Sequence, residues 1–97
     1  MNLHRVKNRI EVEVDKAYRK LEQTRRLIEV ARELLVLQTE DLRLKSDGRK
    51  SGTATQAQYA TAVASVKKAE SEELQALLGY YLAIADLKRI VASYTSP

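Results

Sequence analysis

Helix breakers are confined to one place in this chain. Gly48 and Gly52 lie four residues apart within Ser46-Asp47-Gly48-Arg49-Lys50-Ser51-Gly52-Thr53, and the single proline is the last residue, Pro97. Residues 2–47 contain neither glycine nor proline, and residues 55–96 contain only Gly79. Two glycines among small polar residues mark a turn. Gly79 sits inside a helical pattern, where glycine costs ~1 kcal/mol relative to alanine, so a packing reason is expected for it.

The segments beside the turn read as helices. In the first, Ile10, Val14, Ala17, Leu21, Thr24, Ile28, Ala31, Leu35, Gln38 and Leu42 alternate at spacings of four and three. That is the a/d seam of a left-handed coiled coil. A second seam runs beside it: Leu27, Val30, Leu34, Leu37 and Leu44. A helix with two adjacent seams must touch more than one neighbour, and a lone hairpin covers one. Further helices are therefore expected, from other copies of the chain or from the same assembly.

The second helix opens on Thr55-Gln56-Ala57-Gln58, a capping box in which the threonine hydroxyl and the glutamine side chain satisfy each other's backbone N–H groups. Tyr59, Val63, Val66, Glu70, Glu73, Leu77, Tyr80, Ile84, Leu87, Val91 and Tyr94 follow at spacings of four and three. Residues 52–97 hold ten alanines against two in 1–51, and alanine beside a seam lets helix axes approach closely. A turn centred near residue 51 pairs Tyr59 with Leu42, Val66 with Leu35, Leu87 with Val14, Val91 with Ile10 and Glu70 with Arg32. Apolar then meets apolar and acid meets base.

The expected fold is all-α: a single long antiparallel helical hairpin, a coiled coil assembling with other copies into a bundle. The first helix is expected over about residues 4–47, the tip over about 48–54 and the second helix over about 55–93. Forty helical residues span ~60 Å.

Enzymatic readings find no residues to carry them. There is no cysteine and one histidine, His4, expected as a solvated side chain near a terminus. A di-iron bundle needs Glu-x-x-His pairs, and none is present. Of Glu11, Glu13 and Asp15, only Glu11 and Asp15 share a helix face. The glycines match neither phosphate-loop pattern. No catalytic, cofactor-binding or metal site is expected. The net charge of +4 arises in residues 1–51, with 13 basic and 9 acidic residues, whereas residues 52–97 carry four of each. A charge so spread does not form the clustered basic face of a nucleic-acid binder. Tyr80 and Tyr81, with Tyr18 expected roughly opposite, read as seam and interface residues with hydroxyls at the edge.

In order, Val14-Asp15-Lys16-Ala17-Tyr18, Ile28-Glu29-Val30-Ala31, Leu42-Arg43-Leu44, Gly52 with Thr55, and Tyr80-Tyr81-Leu82-Ala83-Ile84-Ala85-Asp86-Leu87 resemble the periplasmic helical hairpin of TolC-like outer-membrane efflux channels. The comparable family segment reads V-x-x-A-Y, I-x-x-A, G-x-x-[ST] at the tip, then Y-x-x-A-x-A-x-L. The resemblance covers about residues 6–92. It implies a structural segment of a transmembrane export channel, the periplasmic portion of a Gram-negative outer-membrane protein. Three protomers would form the α-barrel, and the membrane would be crossed only by β-strands outside this chain, which would be a piece of a longer subunit. It also implies a tip, Gly48, Arg49, Lys50, Gly52, Thr55 and Gln58, that meets a periplasmic adaptor protein of a pump, and an oligomer seam at Leu27, Val30, Leu34, Leu37 and Leu44. The rival expectation is a freestanding hairpin that self-associates as an interaction module.

Overall fold

Two helices hold nearly all of the described residues. A computed structural model describes residues 2–95, with side chains from residue 5 onward. Helix α1 runs Asn2–Ser51 and helix α2 runs Gln56–Thr95, packed antiparallel as a hairpin. His4 falls outside the described side chains. The molecule measures 75 × 18 × 15 Å, with a radius of gyration of 21.6 Å. A compact domain of this length would have a radius of gyration of about 12–13 Å.

The α1 seam lies where the heptad repeat puts it. Ala17, Thr24, Ile28 and Ala31 are buried, and Ile10, Val14, Leu21, Leu35, Gln38 and Leu42 are half-buried. Thr24 keeps its hydroxyl satisfied by donating to the Leu21 carbonyl at 2.8 Å.

On α2 the seam is rotated from the expected one. The line Tyr59, Val66, Glu73, Tyr80 and Leu87 is half-buried, as the spacing predicts. Its companion is not Val63, Glu70, Leu77, Ile84 and Val91 but the residues one position earlier: Ala62, Ala69, Ala76, Ala83 and Ile90. Ala62, Ala69 and Ala83 are buried, whereas Glu70 and Val91 are exposed, as is Tyr94 at the end of the expected line. Alanine every seventh residue leaves room for long side chains from α1: Gln38 shares a groove with Ala69, and Lys45 with Ala62. Large opposite small fills the layer without separating the axes. The larger residues at 63, 77, 84 and 91 are left on the flank.

The register also differs from expectation. Helix α1 continues through Gly48, Arg49 and Lys50, so the reversal occupies only the residues between Ser51 and Gln56. Moving the turn toward the C-terminus slides the pairing by about one helical turn. Arg32 reaches Glu73 at 3.7 Å instead of Glu70. Tyr59 lies under Arg49 rather than level with Leu42. Tyr18 shares its groove with Arg19, Glu22, Gln23 and Arg26 of its own helix and does not meet the tyrosine pair.

Charges stiffen each helix more than they join the two. Eight of the nine ion pairs among the described residues are three or four positions apart in one helix, and Arg32–Glu73 alone crosses. Arg25 bridges Glu22 and Glu29, and Arg43 bridges Glu40 and Asp47. The hydrogen bond from Arg43 holds the Glu40 carboxyl below the usual carboxylate range. Exposed pairs of this kind contribute ~0.3–0.5 kcal/mol each.

At the open end the Tyr94 hydroxyl donates to Glu13 at 2.7 Å. That bond pushes the phenol's pKa up, aided by slight desolvation and by the carboxylate's charge. A raised folded-state pKa favours the neutral phenol. The contact is therefore complete below the ordinary tyrosine range and is lost as pH rises through the raised value. Alkaline titration is expected to fray the end of α2, seen as faster amide exchange near Tyr94, and Tyr94→Phe should remove that pH dependence. Nothing lies within 4 Å of where a Cβ on Gly79 would project, so the expected packing reason is not present in the hairpin. Gly79→Ala should raise stability by up to ~1 kcal/mol, read as a higher thermal midpoint by circular dichroism.

Candidate functional site: the tip and the uncovered faces

The tip is closed by two interlocking caps. Gly52 takes φ +83°, a left-handed conformation that glycine adopts without a Cβ penalty. Its N–H donates to the Arg49 carbonyl at 3.4 Å, and the Thr53 N–H donates to the Gly48 carbonyl at 2.7 Å. These two bonds form a Schellman motif, which satisfies the last carbonyls of α1. The Ala54 N–H adds a second bond to the Gly48 carbonyl at 3.1 Å.

Gly48 has a different role from the one expected. It is helical, and a Cβ there would come within 3.0 Å of the Ala54 Cβ and the Thr53 Oγ1. The returning chain uses the space that this glycine leaves. The capping box at the start of α2 forms as its spacing predicts: the Gln58 N–H donates to Thr55 Oγ1 at 3.0 Å, and the Thr55 N–H donates to Gln58 Oε1 at 2.9 Å.

The tip carries positive charge without local acids. No Asp or Glu occurs between Asp47 and Glu70. The Arg49 guanidinium lies 4.9 Å from the centre of the Tyr59 ring, tying the last turn of α1 to the first of α2. Such a contact contributes ~0.5–1 kcal/mol at an exposed site. Lys50 shares a shallow groove with Ser46, Arg49 and Tyr59 and forms no ion pair among the described residues. The structure thus gathers Gly48, Arg49, Lys50, Gly52, Thr55 and Gln58 at one end. Of these, Gly48, Gly52, Thr55 and Gln58 build the turn, while Arg49 and Lys50 carry the charge.

The second α1 seam is uncovered. Leu27 is 52% exposed, Val30 60%, Leu37 67% and Leu44 54%, and Leu34 is half-buried. Helix α2 carries a matching stripe that the expected seam concealed. Leu74 and Tyr81 are exposed, and Leu77 and Ile84 are only half-buried. The signal for it was present as a second three-and-four spacing from Leu74 to Val91, one position out of phase with the alanines.

These stripes lie on opposite broad sides of the hairpin. Leu34 shares a groove with Ser65 and Glu72, which places the α1 stripe on that side. Arg32 reaches Glu73 across the other side. Leu77, Ile84 and Val91 follow Glu73, Tyr80 and Leu87 by four residues, one helical turn, and so lie on the Arg32 side.

Among the described residues no three His, Cys, Asp or Glu side chains converge on a metal position, and the grooves are shallow and open. Among the described residues no helix is long and apolar enough to cross a membrane. Compared with known protein families, curated proteins and solved structures, the chain matches none.

The caps predict distinct costs. Gly52→Ala forces a left-handed conformation on a residue with a Cβ and should cost about 1–2 kcal/mol. Thr55→Ala should cost about 1 kcal/mol by removing the hydroxyl acceptor. Chemical denaturation read by circular dichroism measures both, and equal stability of either variant and the parent would show that the caps do not hold the turn.

Proposed function

We propose that this chain is a non-catalytic structural hairpin, built to be packed side by side with further helices. In the fullest form of this reading it is the periplasmic hairpin of a TolC-like outer-membrane efflux channel. Its tip is then presented to an adaptor protein and its outer stripes to neighbouring helices of an α-barrel. The observation that supports it is the exposure of Leu27, Val30, Leu37 and Leu44 on α1 together with Leu74 and Tyr81 on α2. An exposed apolar stripe on each broad side is the kind of surface that marks an interaction site. A rod whose helices each offer a second seam suits a wall of helices better than a lone hairpin. The unpaired positive charge of Arg49 and Lys50 suits an acidic partner at the tip.

A freestanding hairpin that associates with itself is the second reading, favoured by the same stripes. The size and location of the native polypeptide separate the two. An antibody against this chain, used on fractionated source cells, should detect an outer-membrane species several-fold larger than 11 kDa under the channel reading. A soluble band near that mass would replace it with the freestanding hairpin. Either reading requires the isolated chain to associate. Leu37→Arg, on the uncovered stripe, should lower the sedimentation coefficient at a given concentration more than Val6→Arg, far from it. Equal effects would remove the stripe from the interface.

A further inference from the structure

The two uncovered stripes share one pattern. On α1, Leu27, Val30, Leu34, Leu37, Asp41 and Leu44 follow at steps of three, four, three, four and three. On α2, Leu74, Leu77, Tyr81, Ile84, Lys88 and Val91 repeat those steps. Each stripe has five apolar residues and one charge. The charge is fifth in both, acidic on α1 and basic on α2.

We propose that each stripe is covered by a second copy of this chain, with the α1 stripe of one copy lying parallel on the α2 stripe of the next and Asp41 facing Lys88. Parallel heptad seams bring equivalent positions together layer by layer. Here that gives Leu27 on Leu74, Val30 on Leu77, Leu34 on Tyr81, Leu37 on Ile84 and Leu44 on Val91, with the one polar layer an acid–base pair. Antiparallel packing does worse. One antiparallel register keeps four apolar layers, Leu27–Ile84 to Leu37–Leu74, but sets Asp41 against Glu70. Another also keeps four but sets Lys88 on Val30 and Asp41 on Leu77. An α2–α2 contact would leave the α1 stripe open.

The surface area available suits two neighbours. The chain exposes 7609 Å². A compact protein of its mass exposes ~5,600 Å² by the usual scaling. The excess, ~2,000 Å², exceeds twice the ~800 Å² that one partner contributes to a standard interface. Because the stripes are on opposite broad sides, one neighbour cannot cover both. Each copy then uses two different faces, a heterologous arrangement that either closes as a ring or continues. Parallel contact between α1 of one copy and α2 of the next also turns successive hairpins tip to base. This inference rests on the second reading, the self-associating hairpin, and is exclusive of the channel reading, in which all tips share one end.

Charge reversal in the full chain tests the pairing. Asp41→Lys and Lys88→Asp should each weaken association at low salt by about fivefold, the upper range for a single exposed ion pair. The double variant should restore it. Asp41 also pairs with Lys45 of its own helix at 2.9 Å, so circular dichroism checks that each variant stays helical. Rescue by Lys88→Asp is an effect that loss of the Lys45 contact cannot produce, and a double variant as weak as the singles overturns the pairing. The absence of native cysteine permits a second readout by disulfide trapping. Leu37→Cys mixed with Ile84→Cys should cross-link between copies. A dominant Leu37→Cys with Leu74→Cys bridge would mean tips aligned. A dominant Leu74→Cys with Ile84→Cys bridge would mean α2–α2 contact. Either of these, or a chain that stays monomeric, overturns the proposal.

Discussion

The most deeply buried part of the contact between α1 and α2 is largely alanine. Ala17 and Ala31 on one helix and Ala62, Ala69 and Ala83 on the other are buried, with Ile28 and Thr24 as the remaining buried side chains among the described residues. Among the described residues no large side chain is fully buried. Small residues allow close approach of the helix axes and strong dispersion contact, but each removes little apolar area from water. A two-helix seam of this composition sets the shape and register of the hairpin. It leaves most of the leucines, valines and tyrosines outside, and the uncovered stripes follow from that division.

Local electrostatics are consistent with it. Arg25 and Arg43 are engaged within their own helix, Arg25 with Glu22 and Glu29 and Arg43 with Glu40 and Asp47, which raises the pKa of both guanidinium groups through hydrogen bonds to Glu22 and to Glu40. Such pairs support a long helix independently of its neighbour. They leave choice of partner to the apolar lines and to the few charges that interrupt them, Asp41 and Lys88 among these.

How much could be read from the residues differs from element to element. The helices, the hairpin and the α1 seam were legible because periodicity is a local property, repeated over many turns without an interrupting breaker. The capping box was legible because four consecutive residues contain all of its chemistry. The α2 seam was only half legible. Tyr59 to Leu87 at every seventh position belong to both candidate seams, and the choice between alanine and the larger residues as their companions depends on what α1 presents. The register departs from the spacing because Gly48 does not break the helix: its missing Cβ accommodates Ala54, and among the described residues only Gly52 adopts the left-handed conformation. Spacing alone does not distinguish a glycine needed for its backbone from one needed for its emptiness. The same ambiguity applies at Gly79, where the hairpin shows no contact that requires it.

The doubly capped tip also bears on how the chain acquires its shape. With the Schellman motif and the capping box in place, the first pairings across the turn close very short loops, such as Arg49 with Tyr59. Each later pairing then extends an existing contact instead of closing a long loop, at a small entropic increment. The last to form, Glu13 with Tyr94, joins residues 81 positions apart yet needs no independent search once the layers below it have closed. The hairpin is thus arranged as a zipper with its slider parked at the tip. Closing from tip to base is the order of least entropic cost, and opening fluctuations should begin at the end away from the tip.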